Sequence, residues 1–399
     1  MARLILRFAA SLRSVFLLVV LALGFVTTIV YFNDEKTAKV DEIFQRYTQM
    51  IADQIQNETR QMGVRIGETE VVPSAAAEEL PLVLFWTDKF YSRPQFNAAT
   101  YAFSLNCEWK CRYTNDKTRW NESRSIVIRE QFPSGDYPPK VSDEQRTILI
   151  LPEAPGRVGV RKGLAKIPKG YINMTLGFMH SMDIYKPYDK MIKQKATANQ
   201  WAQIEKKLKA KKKGAFIVYS HCKSDSQREK YIAELKKHFP VETYGKCGDA
   251  SCDAKCMKEK IRDYRFYIAF ENNVCENYIT EKYFRVKDLV LPLVLNESIY
   301  RARVPKNSYI AVDSFRNMTD LADYLLLLML DDAAYLRHFQ WAREYSLKRP
   351  ALYAQSYCDI CRNAHDRSFR HVYEDIAEWF GPKRRCDNSL VPRLLKSQV

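Results

Sequence analysis

Residues 269–284 read AFENNVCENYITEKYF. Three glutamates, three asparagines and a lysine stand there among aromatic and aliphatic residues, so groups that resist burial alternate with groups that seek it. The run RFYIAFE (265–271) has the composition of a buried strand and leaves Glu271, Asn272 and Asn273 at its carboxyl end. ITEKYFRVKDL (279–289) reads as a helix, with Thr280 as its N-cap and Glu281 and Lys282 in its first turn. First turns favour acids, because the helix dipole places positive potential there. A lysine in that position makes chemical sense when an anion lies between its ammonium and the free N–H groups of the turn, and phosphate suits such a turn well. On these residues alone, a solvated lysine at a frayed terminus is the competing reading.

The surrounding elements must bring that cluster to a ligand. PLVLFW (81–86), SIVIRE (125–130) and TILILPE (147–153) are short apolar runs of the kind buried in parallel sheets. A second set begins with the strand GAFIVYS (214–220), followed by the amphipathic helix QREKYIAELKKHF (227–239) and the strand VETYG (241–245). MKEKIRDY (257–264) is helical, VLPLVL (290–295) is a strand, and residues 320–347 read as two helices. Strand and helix alternate, which predicts two α/β domains joined near 190–213. Ligands of such sheets bind beyond the carboxyl ends of the strands, where 271–273 fall. The run KKLKAKKK (206–213) is expected to be a solvated helix end or linker.

The 399 residues carry a formal net charge of +16. That balance admits a nucleic-acid partner, an anionic membrane surface or an anionic small substrate. The N-terminus narrows the choice. Residues 15–32, VFLLVVLALGFVTTIVYF, contain no charge and are near the lower length limit for a membrane-spanning helix. Arg3, Arg7 and Arg13 precede the run, and Asp34 and Glu35 follow it, so the positive-inside rule sends the bulk of the chain to the lumen. The run ends in Ile-Val-Tyr-Phe, a poor cleavage site, which favours a signal-anchor over a cleaved signal. A lumenal chain is not expected to meet nucleic acid. Sequons at Asn57, Asn121, Asn173, Asn296 and Asn317 agree with that compartment. So do ten cysteines, expected to form disulfides; for Cys107 and Cys111 with Cys358 and Cys361, a four-thiolate zinc site is the alternative.

The motif F-E-N-x-x-x-x-x-Y-I-T-E-K, Phe270 to Lys282, resembles the signature of the α1,3-fucosyltransferases of glycosyltransferase family 10. Its surroundings agree in order: IVYSHC with Arg228 and Tyr231 downstream, VETYGKCG, LPLVL, YIAVDSF, YLRHFQWARE, then Cys358-x-x-Cys361. PLVLFW, QRTILILPEAP and INMTLGF…DIYKPY resemble the family more loosely. The resemblance implies a GT-B fold, two Rossmann-like α/β domains facing across a cleft, preceded by a transmembrane helix and stem. It implies a cytosolic tail at 1–14, the anchor at 15–32, a stem at 33–79 and an acceptor-side domain at 80–195. A donor-binding domain follows at 210–350, and a C-terminal segment with the CxxC at 351–399. The implied location is the Golgi membrane.

The implied reaction moves L-fucose, with inversion, from GDP-fucose to a hydroxyl of N-acetylglucosamine in a glycan. Such a displacement needs a base, an anion near the positive sugar carbon, and cations on the leaving diphosphate. By resemblance, Glu153 is the base and Glu281 contacts or stabilises the donor sugar. Arg228 and Lys282 clamp the diphosphate, and Asn272 and Tyr278 contact nucleotide or donor. Glu271 is expected to be structural. No D-x-D occurs, so no metal is expected to be required, although Mn2+ can still stimulate. Three departures stand out. Phe178-Met179 replaces the usual Tyr-Arg pair near the acceptor, LPLVL runs into Asn296 without a glycine, and the helix after Lys282 is short. Cys275, inside the signature, is expected to pair with Cys247, Cys252 or Cys256. A homologue without turnover, binding glycans or serving in assembly, is the alternative function.

Overall fold

The computed structural model describes residues 80–86, 107–130, 137–350 and 352–396, together with two dipeptide strands before them. The signal-anchor expected at 15–32 and the sequon at Asn57 lie outside the described residues. The chain divides into two units, Met1–Glu78 and Glu79–Val399. In the first, β1 (Ile66–Gly67) and β2 (Glu70–Val71) pair antiparallel. Among the described residues no helix is long and apolar enough to cross a membrane.

The second unit holds two parallel sheets. One contains β3 (Leu82–Phe85), β4 (Arg112–Thr114), β5 (Ser125–Arg129), β6 (Arg146–Leu151), β7 (Met174–Gly177) and β8 (Ile184–Tyr185), in the order β4-β3-β5-β6-β7-β8. The other contains β9 (Lys213–Val218), β10 (Val241–Tyr244), β11 (Tyr264–Ile268), β12 (Leu291–Val294) and β13 (Ile310–Ala311), in the order β10-β9-β11-β12-β13. Every strand expected from an apolar run is present. Their runs are continuous because both faces are covered: Val83, Leu84, Ile126, Ile128, Phe266 and Leu293 are all buried. Strand order reverses between β3 and β5 and again between β9 and β11, which creates a crevice at each reversal.

The covering helices are α1 (Val158–Leu164), α2 (Ala198–Lys209), α3 (Arg228–Leu235), α4 (Ala254–Asp263), α5 (Met318–Leu330), α6 (Asp332–Arg337), α7 (Leu352–His365) and α8 (Leu390–Lys396). The helix pair expected at 320–347 is α5 and α6, separated at Asp331, whose carboxylate caps α6 by accepting from Ala334 N. A capping box of Thr197 and Gln200 starts α2, and Trp201, Ile204 and Leu208 pack it onto the C-terminal core. The lysine run therefore belongs to that domain. One of its members is not solvated: Lys211 is buried, donates to the carbonyls of Ile261 and Arg262, and is pushed down to about 8 by burial.

The C-terminal segment is not a separate appendage. Tyr357, Ile360 and Ala364 of α7 join the core under β3 and β5, Tyr373 pairs with Ile172, and Leu390 and Val391 return to the C-terminal core. Disulfides Cys107–Cys358 and Cys111–Cys361 fasten α7 to the N-terminal sheet. Cys111, Cys361 and His365 gather closely enough for a metal, but both sulfurs are committed to disulfides, so the zinc alternative falls. Asn173 is buried. Its side-chain oxygen accepts from Lys140 and Thr147 N and its amide donates to His371 O, so this sequon asparagine is packed inside rather than presented at the surface.

Lys287 pins the domain junction from a fully buried position, donating to Asp189 at 2.8 Å, to Lys190 O at 2.7 Å and to Lys348 O at 3.2 Å. Lys287→Met keeps the aliphatic stem but leaves Asp189 buried without its ammonium. Breaking such a pair costs about 3 kcal/mol. Urea unfolding monitored by tryptophan fluorescence should reveal a loss of that size; an unchanged midpoint would mean that Arg349, 3.6 Å from Asp189, compensates.

Candidate active site

Beyond β11 the chain runs through Phe270, Glu271 and Asn272 at the reversal between β9 and β11. The loop after β9 reaches across to hold it: Ser226 donates its hydroxyl to Glu271 O at 2.7 Å and its N–H to Asn272 O at 3.0 Å. Arg228, first in α3, donates to Phe270 O at 2.6 Å. Read alone, that arginine suits a solvated helix start, yet it is 3% exposed, and burial pushes it below arginine's usual range. Gln227 before it adopts φ 55°, a left-handed conformation that turns α3 into the sheet. Among the described residues, Arg228 Nε and Asn272 Oδ1 are buried without a hydrogen-bond partner. Buried polar groups are normally paired, so these two fit a polar guest.

The helix expected to start at Thr280 does not form. A 3-10 turn, Tyr283–Asp288, takes its place, and Thr280 is turned inward to the buried Glu271. Glu271 Oε1 accepts from Thr280 N at 2.9 Å and from its hydroxyl at 2.6 Å. Lys282 folds back over the same carboxylate, 3.0 Å from Glu271, 3.0 Å from Glu281 and 2.9 Å from the Thr280 hydroxyl. A buried carboxylate must collect donors, and Glu271 does so at the expense of the cap. Lys282 is thus aimed by carboxylates rather than by a helix dipole. Burial alone would lower its ammonium, but Glu271 and Glu281 outweigh that and hold it above lysine's ordinary value. Burial pushes the Glu271 carboxyl up, and Lys282 opposes it. Glu281 is largely exposed; against its own desolvation, Lys282 keeps it below the usual glutamate value.

Glu153 lies two residues past β6, ion-paired to Arg157 at 2.7 Å, and its other oxygen accepts from Tyr278 OH at 3.3 Å. The carboxyl ends of the two sheets thus meet directly. Gly156 makes room: a Cβ there would stand 1.9 Å from Asn273 Oδ1. Tyr278 is buried between the rings of Phe178, 5.0 Å away, and Tyr188, 6.2 Å away, so the phenylalanine that departs from the family pattern forms part of its wall. The structure groups Lys282 with Glu281 and Glu271, and Glu153 with Tyr278. Arg228 joins the first group through its field on Glu271.

Two residues at the site escaped the sequence reading. Tyr188 lies where Glu153, Glu271 and Glu281 all act on its hydroxyl, which burial and those charges drive well up. Its signal was the KPY of the looser motif. Glu130 ends the SIVIRE run fully buried, and a charged residue closing an apolar strand was the cue. Cys275 pairs with Cys386, not with Cys247, Cys252 or Cys256; the others pair as Cys222–Cys247 and Cys252–Cys256. A partner 111 residues away cannot be read from spacing.

Two parallel α/β sheets, each ending in carboxylates and cations at its carboxyl edge, define a two-domain α/β protein. The family model for glycosyltransferase family 10 (fucosyltransferase) matches residues 208–379, and the fucosyltransferase N-terminal model matches 78–189. The human 4-galactosyl-N-acetylglucosaminide 3-alpha-L-fucosyltransferase FUT5 is 30% identical over 279 residues, 68% of this chain and 72% of that protein. The alpha-(1,3)-fucosyltransferase fut-1 of Caenorhabditis elegans is 33% identical over 276 residues, 64% of this chain and 61% of that protein, so under two thirds of the worm relative's length is spanned. A crystal structure of an alpha1,3-fucosyltransferase with GDP-fucose aligns over 77% of this chain and 96% of that chain, with a TM-score of 0.48 and 15% identity, too distant a likeness to carry an assignment. The chain belongs to glycosyltransferase family 10, the fucosyltransferases.

Proposed function

We propose that the protein transfers L-fucose from GDP-fucose to a hydroxyl, O3, of N-acetylglucosamine in a glycoprotein glycan, with inversion to an α1,3 linkage. The observation that carries this is the hydrogen bond from Tyr278 of the signature to Glu153 of the other sheet, with Glu271 of the Glu271–Lys282–Glu281 cluster also acting on the Tyr278 hydroxyl. Glu153 takes the proton of the acceptor hydroxyl as its oxygen attacks the anomeric carbon. The bond from that carbon to phosphate breaks, and its electron pair leaves with GDP. Arg228 and Lys282 neutralise the charge that develops on the diphosphate, Arg by paired donors and Lys as a point charge. Glu281 faces the positive charge on the sugar, and Asn272 and Tyr278 fix the donor. No metal is required on this reading. The membrane anchor expected at 15–32 would hold the catalytic region in the Golgi lumen.

The test is incubation of residues 60–399 with GDP-fucose and a panel of N-glycan and Lewis-type acceptors, with products read by mass. Wild type should add one fucose. Glu153→Gln should lose activity by about 10²–10⁴-fold, the contribution of a positioned base, while still binding GDP. GDP binding without any product would favour the non-catalytic homologue; absence of both would sink the assignment.

A further inference from the structure

Glu130 follows β5 directly, at the strand-order reversal of the N-terminal sheet. Arg129 stands opposite Ile150 of β6, so Glu130 leaves the sheet level with Leu151, two residues before Glu153. It is 0% exposed. Both of its carboxyl oxygens are without a hydrogen-bond partner among the described residues. Its nearest cation, Arg129 Nε, is 3.8 Å away, beyond hydrogen-bond reach. A carboxylate in that position would be desolvated and unpaired, which proteins avoid by keeping the proton.

We propose that Glu130 is a positioning residue that carries a proton in the resting protein and, by losing it, makes Glu153 a stronger base. This rests on the reading of Glu153 as the base of fucosyl transfer. Glu130 and Glu153 leave the adjacent strands β5 and β6, close enough for the charge of Glu153 to disfavour a second negative charge on Glu130. Glu153 has an ion pair with Arg157, a hydroxyl donor and partial exposure, all of which Glu130 lacks. Burial pushes the Glu130 carboxyl up to about 7, with Arg129, the residue's own backbone N–H and Arg157 opposing the rise and Glu153 adding to it. At the end of β3 the Lys117 ammonium stands over the Trp86 ring at 4.6 Å, and past β8 Lys186, pushed down to about 8 by burial, shares the field of Arg129. When Glu130 ionises, its negative charge raises the proton affinity of Glu153, and a stronger base accepts the acceptor's proton more readily. The proton on Glu130 goes to solvent; the proton of the acceptor hydroxyl goes to Glu153.

The experiment is the pH profile of kcat/KM from pH 5 to 9, for wild type, Glu130→Gln and Arg129→Met. Wild type should climb roughly three- to tenfold through a limb near pH 7. Glu130→Gln copies the protonated carboxyl in shape, so it should keep the rate of the low-pH form and lose the limb. Arg129→Met removes a cation that favours the ionised form, so its limb should move to higher pH. Thermal unfolding supplies a second readout. A carboxyl raised from 4.5 to about 7 in the folded state binds its proton more tightly than the unfolded chain does. Stability therefore falls as pH rises through that window, and Glu130→Gln should flatten the fall. A variant that flattens the unfolding profile but leaves the rate profile unchanged makes Glu130 merely structural and overturns the proposal. A wild-type profile without a limb near 7 overturns it as well. Absence of all transfer by wild type would instead sink the reading of the site on which the proposal rests.

Discussion

Lys282→Ala should bind GDP roughly 30- to 100-fold more weakly than wild type and should unfold about 3 kcal/mol more easily. Two separate losses combine. The ammonium is one of the two cations assigned to the diphosphate, and it is also the counter-ion of Glu271, a carboxylate that is 5% exposed. A second substitution separates them. Glu271→Gln removes the charge that Lys282 balances while retaining an oxygen for Thr280. The double variant Lys282→Ala/Glu271→Gln should regain most of the stability and none of the nucleotide affinity. Calorimetric titration with GDP beside urea unfolding gives both numbers from one set of proteins. Recovery of GDP binding in the double variant would mean that Lys282 serves only to neutralise Glu271.

Removal of Cys275–Cys386 should be about as costly to the fold. The bridge closes a separation of 111 residues, for which chain entropy gives roughly 4–5 kcal/mol, and measured losses span about 2–5. It is not an isolated tie. Val274 N donates to Asn388 at 2.8 Å, Asp387 N to Val274 O at 2.7 Å, and Glu276 N to Arg385 O at 2.8 Å. Asn388 donates to Asn273 at 3.1 Å, and Arg385 pairs with Glu276 at 2.8 Å. With both cysteines replaced by serine, the signature loop should loosen between Asn273 and Tyr278. KM for GDP-fucose should then rise more than kcat falls, and the melting temperature should drop by several degrees. An unchanged KM with a lowered melting temperature would show that the hydrogen bonds alone position the loop.

Much of the scaffold was legible because parallel strands buried on both faces write themselves as uninterrupted apolar runs: LVLF, SIVIR and RTILIL needed no partner information. The placement of Glu271 and Asn272 beyond a strand end was legible for the same reason. The turn after Lys282 was not. Its residues suit a helix, but Thr280 and Lys282 are drawn to Glu271, and whether an acid is buried is a tertiary fact. Lys211 was expected to be solvated, and Arg228 taken alone reads the same way: sequence offers solvent as the default for a cation, while the fold supplies carbonyls at Phe270 and Ile261. Glu130 was passed over because a glutamate ending a strand normally faces water, and its burial depends on neighbours from two other strands.

Residues 385–388 brace the signature loop from behind, and they are made more than a hundred residues after it. A chain emerging vectorially can lay down both sheets, bury its apolar strands and still leave the segment from Asn273 to Tyr278 unsupported until residues 385–388 arrive. Assembly of the site therefore waits for residues made more than a hundred positions after the signature. A nascent chain that stalls before Cys386 would carry both sheets and an unpaired thiol at Cys275, which makes that thiol a chemical mark of incompleteness.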